Sequence, residues 1–284
     1  MKIDLHTHSH FSDGAHSPQF VVERAGRNGV SHLALTDHDC LEGFLATEQL
    51  DLPDTLQMVA GVEISTLWDN LEIHVLGLCL DPQYSGLSEL LTNQQQRRRE
   101  RLREIDRKLE KAGISGLDQY MSDLPCCAPG RAHVANFLAE KTRFGTQKKA
   151  FRTLARNGRF YVRPDWCTMS EAVQQIRAAG GIAVLAHPHR YPLSKSGIRR
   201  LLEEFRIFGG EAMEICCSNM THDRITYLVQ LCLEFELWAS AGSDFHNSAA
   251  HWMDIGRLTP FPETAIKNAI WLHPRWHFPD SEPD

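Results

Sequence analysis

Short apolar runs alternate with longer mixed segments through the first eighty residues. Lys2–Leu5 and His32–Thr36 read as strands, and Pro18–Gly26 between them opens a helix, with Ser17 as N-cap and Pro18 at its first position. A short helical segment over Cys40–Leu50 follows, then two further strands, Met58–Ile64 and Glu72–Leu78. Strands alternating with helices predict parallel β/α units.

The rhythm breaks between Leu87 and Asp165. Leu91, Leu102, Ile105, Leu109 and Ala112 keep helical spacing and predict one long amphipathic helix ending at Gly113. His133–Glu140 and Gln147–Ala155 are helical in pattern too, and the Gln94–Gln96 run reads as helix surface. Alternation then resumes: a helix over Ser170–Ala179 stopped by Gly180 and Gly181, a strand over Ile182–Ala186, a helix over Leu201–Phe208, and strands over Ala212–Ile215 and Leu237–Ala241. The expected organisation is a discontinuous barrel domain, 1–86 and 166–273, a helical insertion at 87–165, and a Pro- and Asp-rich tail, 274–284, that frays. A chain of 284 residues accommodates one barrel-sized domain with one insertion.

Composition adds exclusions. Every long apolar stretch is interrupted by Gly or a charge, so no transmembrane helix and no membrane partner are expected. The first residues, MKIDLHTH, run straight into a strand that holds candidate ligands, which argues against a cleaved leader and for a cytoplasmic location. Cys40, Cys79, Cys126, Cys127, Cys167, Cys216, Cys217 and Cys232 form no C-x-x-C pair and read as buried thiols of a reducing compartment. The net charge of −6 argues against a nonspecific nucleic-acid coat protein. It leaves a phosphate substrate open, because bound divalent ions would reverse the local potential.

Fifteen histidines are the anomaly, and their placement carries the chemistry. His6 and His8 follow the first predicted strand, His38 the second, His187 the strand at Ile182–Ala186, and Asp244 and His246 the one at Leu237–Ala241. Glu63 closes Met58–Val62, and His74 lies within Glu72–Leu78. In barrels of parallel strands the active site assembles at the strands' C-terminal ends, so distant segments would present these side chains to one mouth. His6 and His8, two apart on extended backbone, point to the same face. Asp13 in Ser12-Asp13-Gly14 is a ninth candidate ligand rather than a turn residue, and Asp39 reads as a helix cap or an outer group. Histidine and carboxylate ligands without thiolate suit zinc, manganese or iron. Nine ligands exceed the needs of one ion and fit two or three, with Glu63 able to bridge. His16, His32, His222, His251, His273 and His277 read as ordinary surface or core histidines.

The segments DLHTHSHFSDG, LTDHD, GVEIS, EIHVLGL, LAHP and GSDFH resemble the signature segments of the PHP (polymerase and histidinol phosphatase) superfamily. YVRPDWCTMSEAV, LAHPHRY and ASAGSDFH look like its nucleoside bisphosphate phosphatases in particular. The resemblance implies a distorted (β/α)7 barrel with a trinuclear metal cluster. It places one ion at His6, His8, Glu63 and Asp244, a second at Glu63, His74 and His187, and a third at Asp13, His38 and His246. Manganese is the expected metal, with zinc or iron as alternatives. Asp13, His38, Glu63 and His246 would serve catalysis, and His189 would be an outer group. The implied activities are removal of the 3′-phosphate from nucleoside 3′,5′-bisphosphates and 5′-3′ exonuclease action on short or 5′-monophosphorylated RNA.

Clustered ions would activate water for in-line attack on phosphorus, and no G-x-S-x-G nucleophile motif competes with that reading. Selectivity is expected from the insertion. Arg97, Arg98, Arg99, Arg101 and Arg103 concentrate positive charge on an acidic chain, and Arg99 and Arg103, four apart on one helix face, are the preferred phosphate anchors. The resemblance adds Arg131 and His133 in the segment Gly130-Arg131-Ala132-His133. Two other readings compete: a phosphatase for a small phosphomonoester of the histidinol-phosphate kind, and a noncatalytic metal-stabilised module that binds RNA or a polymerase.

Overall fold

The computed structural model describes residues 1–142, 144–250 and 252–278. In chain order the strands are β1 (Ile3–Thr7), β2 (His32–Leu35), β3 (Gln57–Trp68), β4 (Leu71–Leu78), β5 (Cys167–Thr168), β6 (Ile182–Leu185), β7 (Ala212–Cys216) and β8 (Trp238–Ala241). The helices are α1 (Pro18–Arg27), α2 (Glu42–Thr47), α3 (Ser85–Glu110), α4 (Leu117–Ser122), α5 (Arg131–Lys141), α6 (Gln147–Leu154), α7 (Met169–Ala178), α8 (Lys195–Ile207) and α9 (His222–Glu234). Seven strands follow one another as β1-β2-β3-β4-β6-β7-β8, with β5 beside β3. The sheet curls until its ends meet: Asp244 N donates to His6 O at 2.8 Å and His8 N to Phe245 O at 2.9 Å. The result is a nearly closed, distorted α/β barrel.

Local signals explain most elements. Ser17 Oγ accepts from Phe20 N and Pro18 begins α1. Thr168 and Glu171 cap α7 reciprocally. α3 gives way to the left-handed Gly113 at φ 79°. α9 escaped the sequence reading, although Ile225, Leu228, Val229 and Cys232 bury one face at helical spacing.

One expectation is corrected. The sheet is parallel at β1–β2, β2–β3, β6–β7 and β7–β8, but β4 runs antiparallel to both β3 and β6. The cause is the two-residue turn Asp69-Asn70, whose φ values of 47° and 62° match the twist of a tight hairpin. Glu63 therefore lies in the middle of a twelve-residue strand rather than closing one.

Two cores flank α3. Leu87 and Leu91 at its start pack with the barrel strands, whereas Ile105 and Leu109 near its end pack with Val134, Phe137, Leu138, Ala150, Leu154 and Phe160. A helix of 26 residues, about 39 Å long, thus carries the second core away from the first. The expected fraying fails for 274–278: Arg275 donates to Gly181 O at 2.6 Å and pairs with Glu211, and Trp276 is buried beside His32. Residues 279–284 of the tail and His251 lie outside the described residues. No helix among the described residues is long and apolar enough to cross a membrane.

Candidate metal centre

All nine candidate ligands converge at the barrel mouth. His6 and His8 come from β1 and the residue after it, His38 follows β2, Glu63 and His74 face each other's surroundings from the β3–β4 hairpin, and His187, Asp244 and His246 follow β6 and β8. Asp13 arrives on the loop before α1. Their donor atoms form overlapping groups: His6, Glu63 and His187; His6, His8 and Asp244; His38, Glu63 and His74; His8, Asp13, His38 and His246.

Glu63 is the hub and is almost wholly buried. Its Oε2 lies 3.3 Å from His6 Nε2, 3.3 Å from His8 Nε2 and 2.9 Å from His38 Nδ1. Its Oε1 lies 2.9 Å from His74 Nδ1 and 3.0 Å from His187 Nε2. Asp244 Oδ1 approaches His6 Nε2 at 3.4 Å and His8 Nε2 at 3.1 Å, and Asp13 Oδ1 approaches His246 Nε2 at 3.1 Å. Ligands about 2.1 Å from one tetrahedral ion stand about 3.4 Å apart, so these separations suit shared coordination. Among the described residues, His6 Nε2, Glu63 Oε2, His38 Nδ1 and Asp13 Oδ1 are buried without a hydrogen-bond partner. Buried polar atoms left in that condition cost free energy unless another group satisfies them. The donor set fits divalent ions.

The buried acids and histidines shift one another's protonation. Burial would raise Glu63, Asp13 and Asp244, yet the surrounding histidines hold all three well below the usual carboxylate range. Burial, reinforced by His246 and His38, pulls His8 down to about 3 and keeps it a neutral lone-pair donor. His187 is likewise lowered by burial. Burial opposes charge on His74 and His246 too, but Glu63 on one and Asp13 on the other raise both to about 10.

Several supporting residues escaped the sequence reading. Glu214, buried in β7, accepts from His6 Nδ1 at 3.0 Å and from His187 N at 2.6 Å, fixing two ligands at once. Its only sequence signal was an acid within the apolar run Ala212–Cys216. Asp37 accepts from Ser9 N at 2.7 Å and Ser9 Oγ at 2.6 Å and so shapes the loop that delivers Asp13. Arg190 pairs with Asp244 Oδ2. His187 and Asp244 both hold left-handed backbone, φ 31° and 55°, a strain of the kind that collects at functional sites.

The insertion wall departs from expectation. Arg99 and Arg103 do not line the cavity beside the cluster; Arg98, Arg101 and Arg131 do, with Trp166, Phe151, Glu72 and His74. Arg98 is buried and committed: it pairs with Asp39 at 2.6 Å and donates to Ser65 Oγ at 2.7 Å. Asp39 is accordingly an arginine clamp and not a helix cap, since Leu41 holds the N-cap position of α2. Arg101 lies 5.3 Å over the Trp166 ring, and its Nη2 is buried without a hydrogen-bond partner. Burial together with Arg131 and Arg98 lowers it to about 10, against Glu72. Arg131 reaches Glu72 at 3.2 Å. Gln94 is no surface residue: it is fully buried, donates to Ser65 O at 2.6 Å and accepts from Cys167 N at 3.0 Å. His133 is buried, and its Nδ1 accepts from Gly130 N at 3.1 Å. His189 lines a different cavity, with Lys195, Arg224 and Tyr227.

Comparison with known proteins points the same way. Residues 4–162 match the PHP domain family. The 5′-3′ exoribonuclease Rnm of Salmonella typhimurium is 40% identical over 272 residues, 94% of this chain and 92% of that protein. The 3′,5′-nucleoside bisphosphate phosphatase of Chromobacterium violaceum is 34% identical over 274 residues, 95% of each chain. A solved Chromobacterium violaceum structure, described as an amidohydrolase with bound sulfate, superposes with TM-score 0.85 at 34% identity over 95% of both chains. A Bifidobacterium adolescentis structure at 23% identity shares the fold, with TM-score 0.78 over 94% of both chains.

Proposed function

The chain belongs to the PHP domain family, and from that premise we propose that it is a metal-dependent phosphoesterase acting at the 3′ side of 5′-phosphorylated nucleotides. It removes the 3′-phosphate of nucleoside 3′,5′-bisphosphates and, by the same cleavage, takes 5′-mononucleotides from the 5′ end of RNA. The observation that carries this reading is the cavity of about 80 Å³ that opens from His38, His74 and Asp13 onto three guanidinium groups. A site with ligands on one wall and a desolvated arginine on the other is built for a substrate with two phosphates.

The nine ligands would hold two or three divalent ions, manganese in our reading, in the grouping that the family resemblance implies. Bound ions lower the pKa of a water toward about 7 and neutralise charge on phosphoryl oxygens. The chain's own residues supply the rest. Glu214 orients His6 and the His187 backbone, and Arg190 holds Asp244. Arg101 presents its unpartnered Nη2 to the nonreacting 5′-phosphate, with Arg131 completing the anchor. Trp166 and Phe151 give that cavity apolar walls and keep the guanidinium groups poorly solvated. A ribose bridging the two walls presents its 3′-phosphate to the cluster, and whether that phosphate ends the molecule or continues as a diester does not alter the anchor. Substrates of this kind favour a cytoplasmic location.

A substrate panel tests this. Purified protein reloaded with manganese should release phosphate from adenosine 3′,5′-bisphosphate and cleave 5′-monophosphorylated RNA at least tenfold faster than 5′-hydroxyl RNA, about the worth of one charge-assisted contact. Equal rates on both RNA ends, or a preference for small phosphomonoesters lacking a second phosphate, would overturn it.

A further inference from the structure

A second feature of the insertion is untouched by this chemistry. From Lys141 to Pro164 the sequence carries eight lysines and arginines and no acidic residue, on a chain whose net charge is −6. Lys148, Lys149, Arg152, Arg156 and Arg159 are exposed, and among the described residues none of them makes an ion pair.

Helical phase shows where this charge points. On α6, Ala150 and Leu154 pack into the insertion core. Gln147 and Phe151, four apart, turn toward the metal centre: Gln147 lines the cavity holding His10, Asp13 and His246, while Phe151 lines both the Arg101 cavity and the open mouth beside His74 and His187. Each of these three openings onto the cluster therefore has α6 in its wall. Lys148 and Arg152 follow one residue later, about 100° round the helix, and form the next stripe outward from the rim. Phe151 is itself 37% exposed, with the Arg131 guanidinium 5.4 Å over its ring. Cations with no carboxylate partners, set beside an exposed ring at the edge of a phosphodiester site, make the pattern that binds a single strand without regard to sequence.

Resting on the function proposed above, we infer that α6 and the segment after it form the track for RNA beyond the scissile bond, with Lys148 and Arg152 contacting backbone phosphates. A nucleoside bisphosphate ends at the cluster and never reaches this stripe. The track thus separates the two activities of one site: it acts on polymers and is silent for the mononucleotide.

The test compares wild type with Lys148→Glu/Arg152→Glu and with the charge-conserving Lys148→Arg/Arg152→Lys. Two readouts are needed: kcat/KM on a 5′-monophosphorylated RNA of about ten nucleotides and on adenosine 3′,5′-bisphosphate, and anisotropy of the same RNA, labelled, in chelator. The charge-reversed protein should lose about tenfold in kcat/KM and in affinity for RNA, and its log–log salt slope should be shallower by about 1.4, two contacts at about 0.7 each. Its bisphosphate turnover should stay within about twofold of wild type, and the conservative pair should match wild type throughout. Unchanged RNA affinity and slope, as expected if the stripe serves an acidic protein instead, would overturn the inference, as would equal losses on both substrates. Should wild type hydrolyse neither substrate, the proposed function falls, and the anisotropy measurement still decides the track.

Discussion

The two walls of the active site were built by different rules. On the barrel wall, most candidate ligands sit on a strand or within a few residues of its end, with Asp13 on the loop before α1. On the insertion wall, Arg98 and Arg101 come from a 26-residue helix, where a shift of one residue turns a side chain through about 100°, and Arg131 comes from α5. Residue type alone picks out the barrel donors, whereas five arginines between positions 97 and 103 offer the insertion wall the same chemistry at several helical phases. The insertion wall depends on helical phase, and its important arginine is Arg101, whose Nη2 is buried without a hydrogen-bond partner, not the one in the most conspicuous pair.

The largest effect should come from the barrel hub. Glu63→Gln is expected to lower phosphoester hydrolysis on the order of a thousandfold, because it removes the charge shared among five histidines; steady-state kinetics on adenosine 3′,5′-bisphosphate would read it. Glu214→Gln, one shell further out, should weaken metal affinity by about 10- to 100-fold with little change in KM once metal is saturating, as titration with manganese would show. On the other wall, Arg101→Ala should raise KM for the bisphosphate by about thirtyfold, the worth of a charge-assisted contact, while Arg99→Ala changes it less than about twofold. If Arg99→Ala proved the more damaging, the assigned phase of α3 at the site would be wrong.

The smallest effect lies far from both walls. Burial alone would raise Glu211, but His273 and Arg275 hold it below the usual glutamate range. A depressed folded pKa contributes stability that is present above the unfolded value, near 4.5, and is lost as pH falls through the folded one. Glu211→Gln should therefore lower Tm by about 2 °C at neutral pH, with the deficit closing below about pH 4.5. A deficit that persists in acid would mean that the loss comes from packing.

What was legible follows the same division. The nine candidate ligands could be picked out because residue type and closeness to a strand are both local properties. Glu214 could not, since nothing local distinguishes an acid facing the mouth from one facing a neighbouring helix. The antiparallel hairpin was signalled by Asp69-Asn70, a turn pair that outweighs the β/α rhythm around it. Gln94 reads as surface because it is polar, and Arg98 is indistinguishable from its neighbouring arginines, yet their partners, Ser65, Cys167 and Asp39, lie at least 29 residues away. Trp276 and Arg275 lie where composition suggested fraying, and only the folded barrel supplies their partners, His32, Gly181 and Glu211.

In this reading Glu63 joins separate groups of candidate ligands into a single multinuclear centre. Metal content of stripped and manganese-reloaded protein, wild type against Glu63→Gln, tests it most directly. Roughly two to three ions per wild-type chain, falling to about one or none in the variant, is the predicted result. A wild-type chain holding at most one ion, or a variant that keeps the full complement, would contradict it.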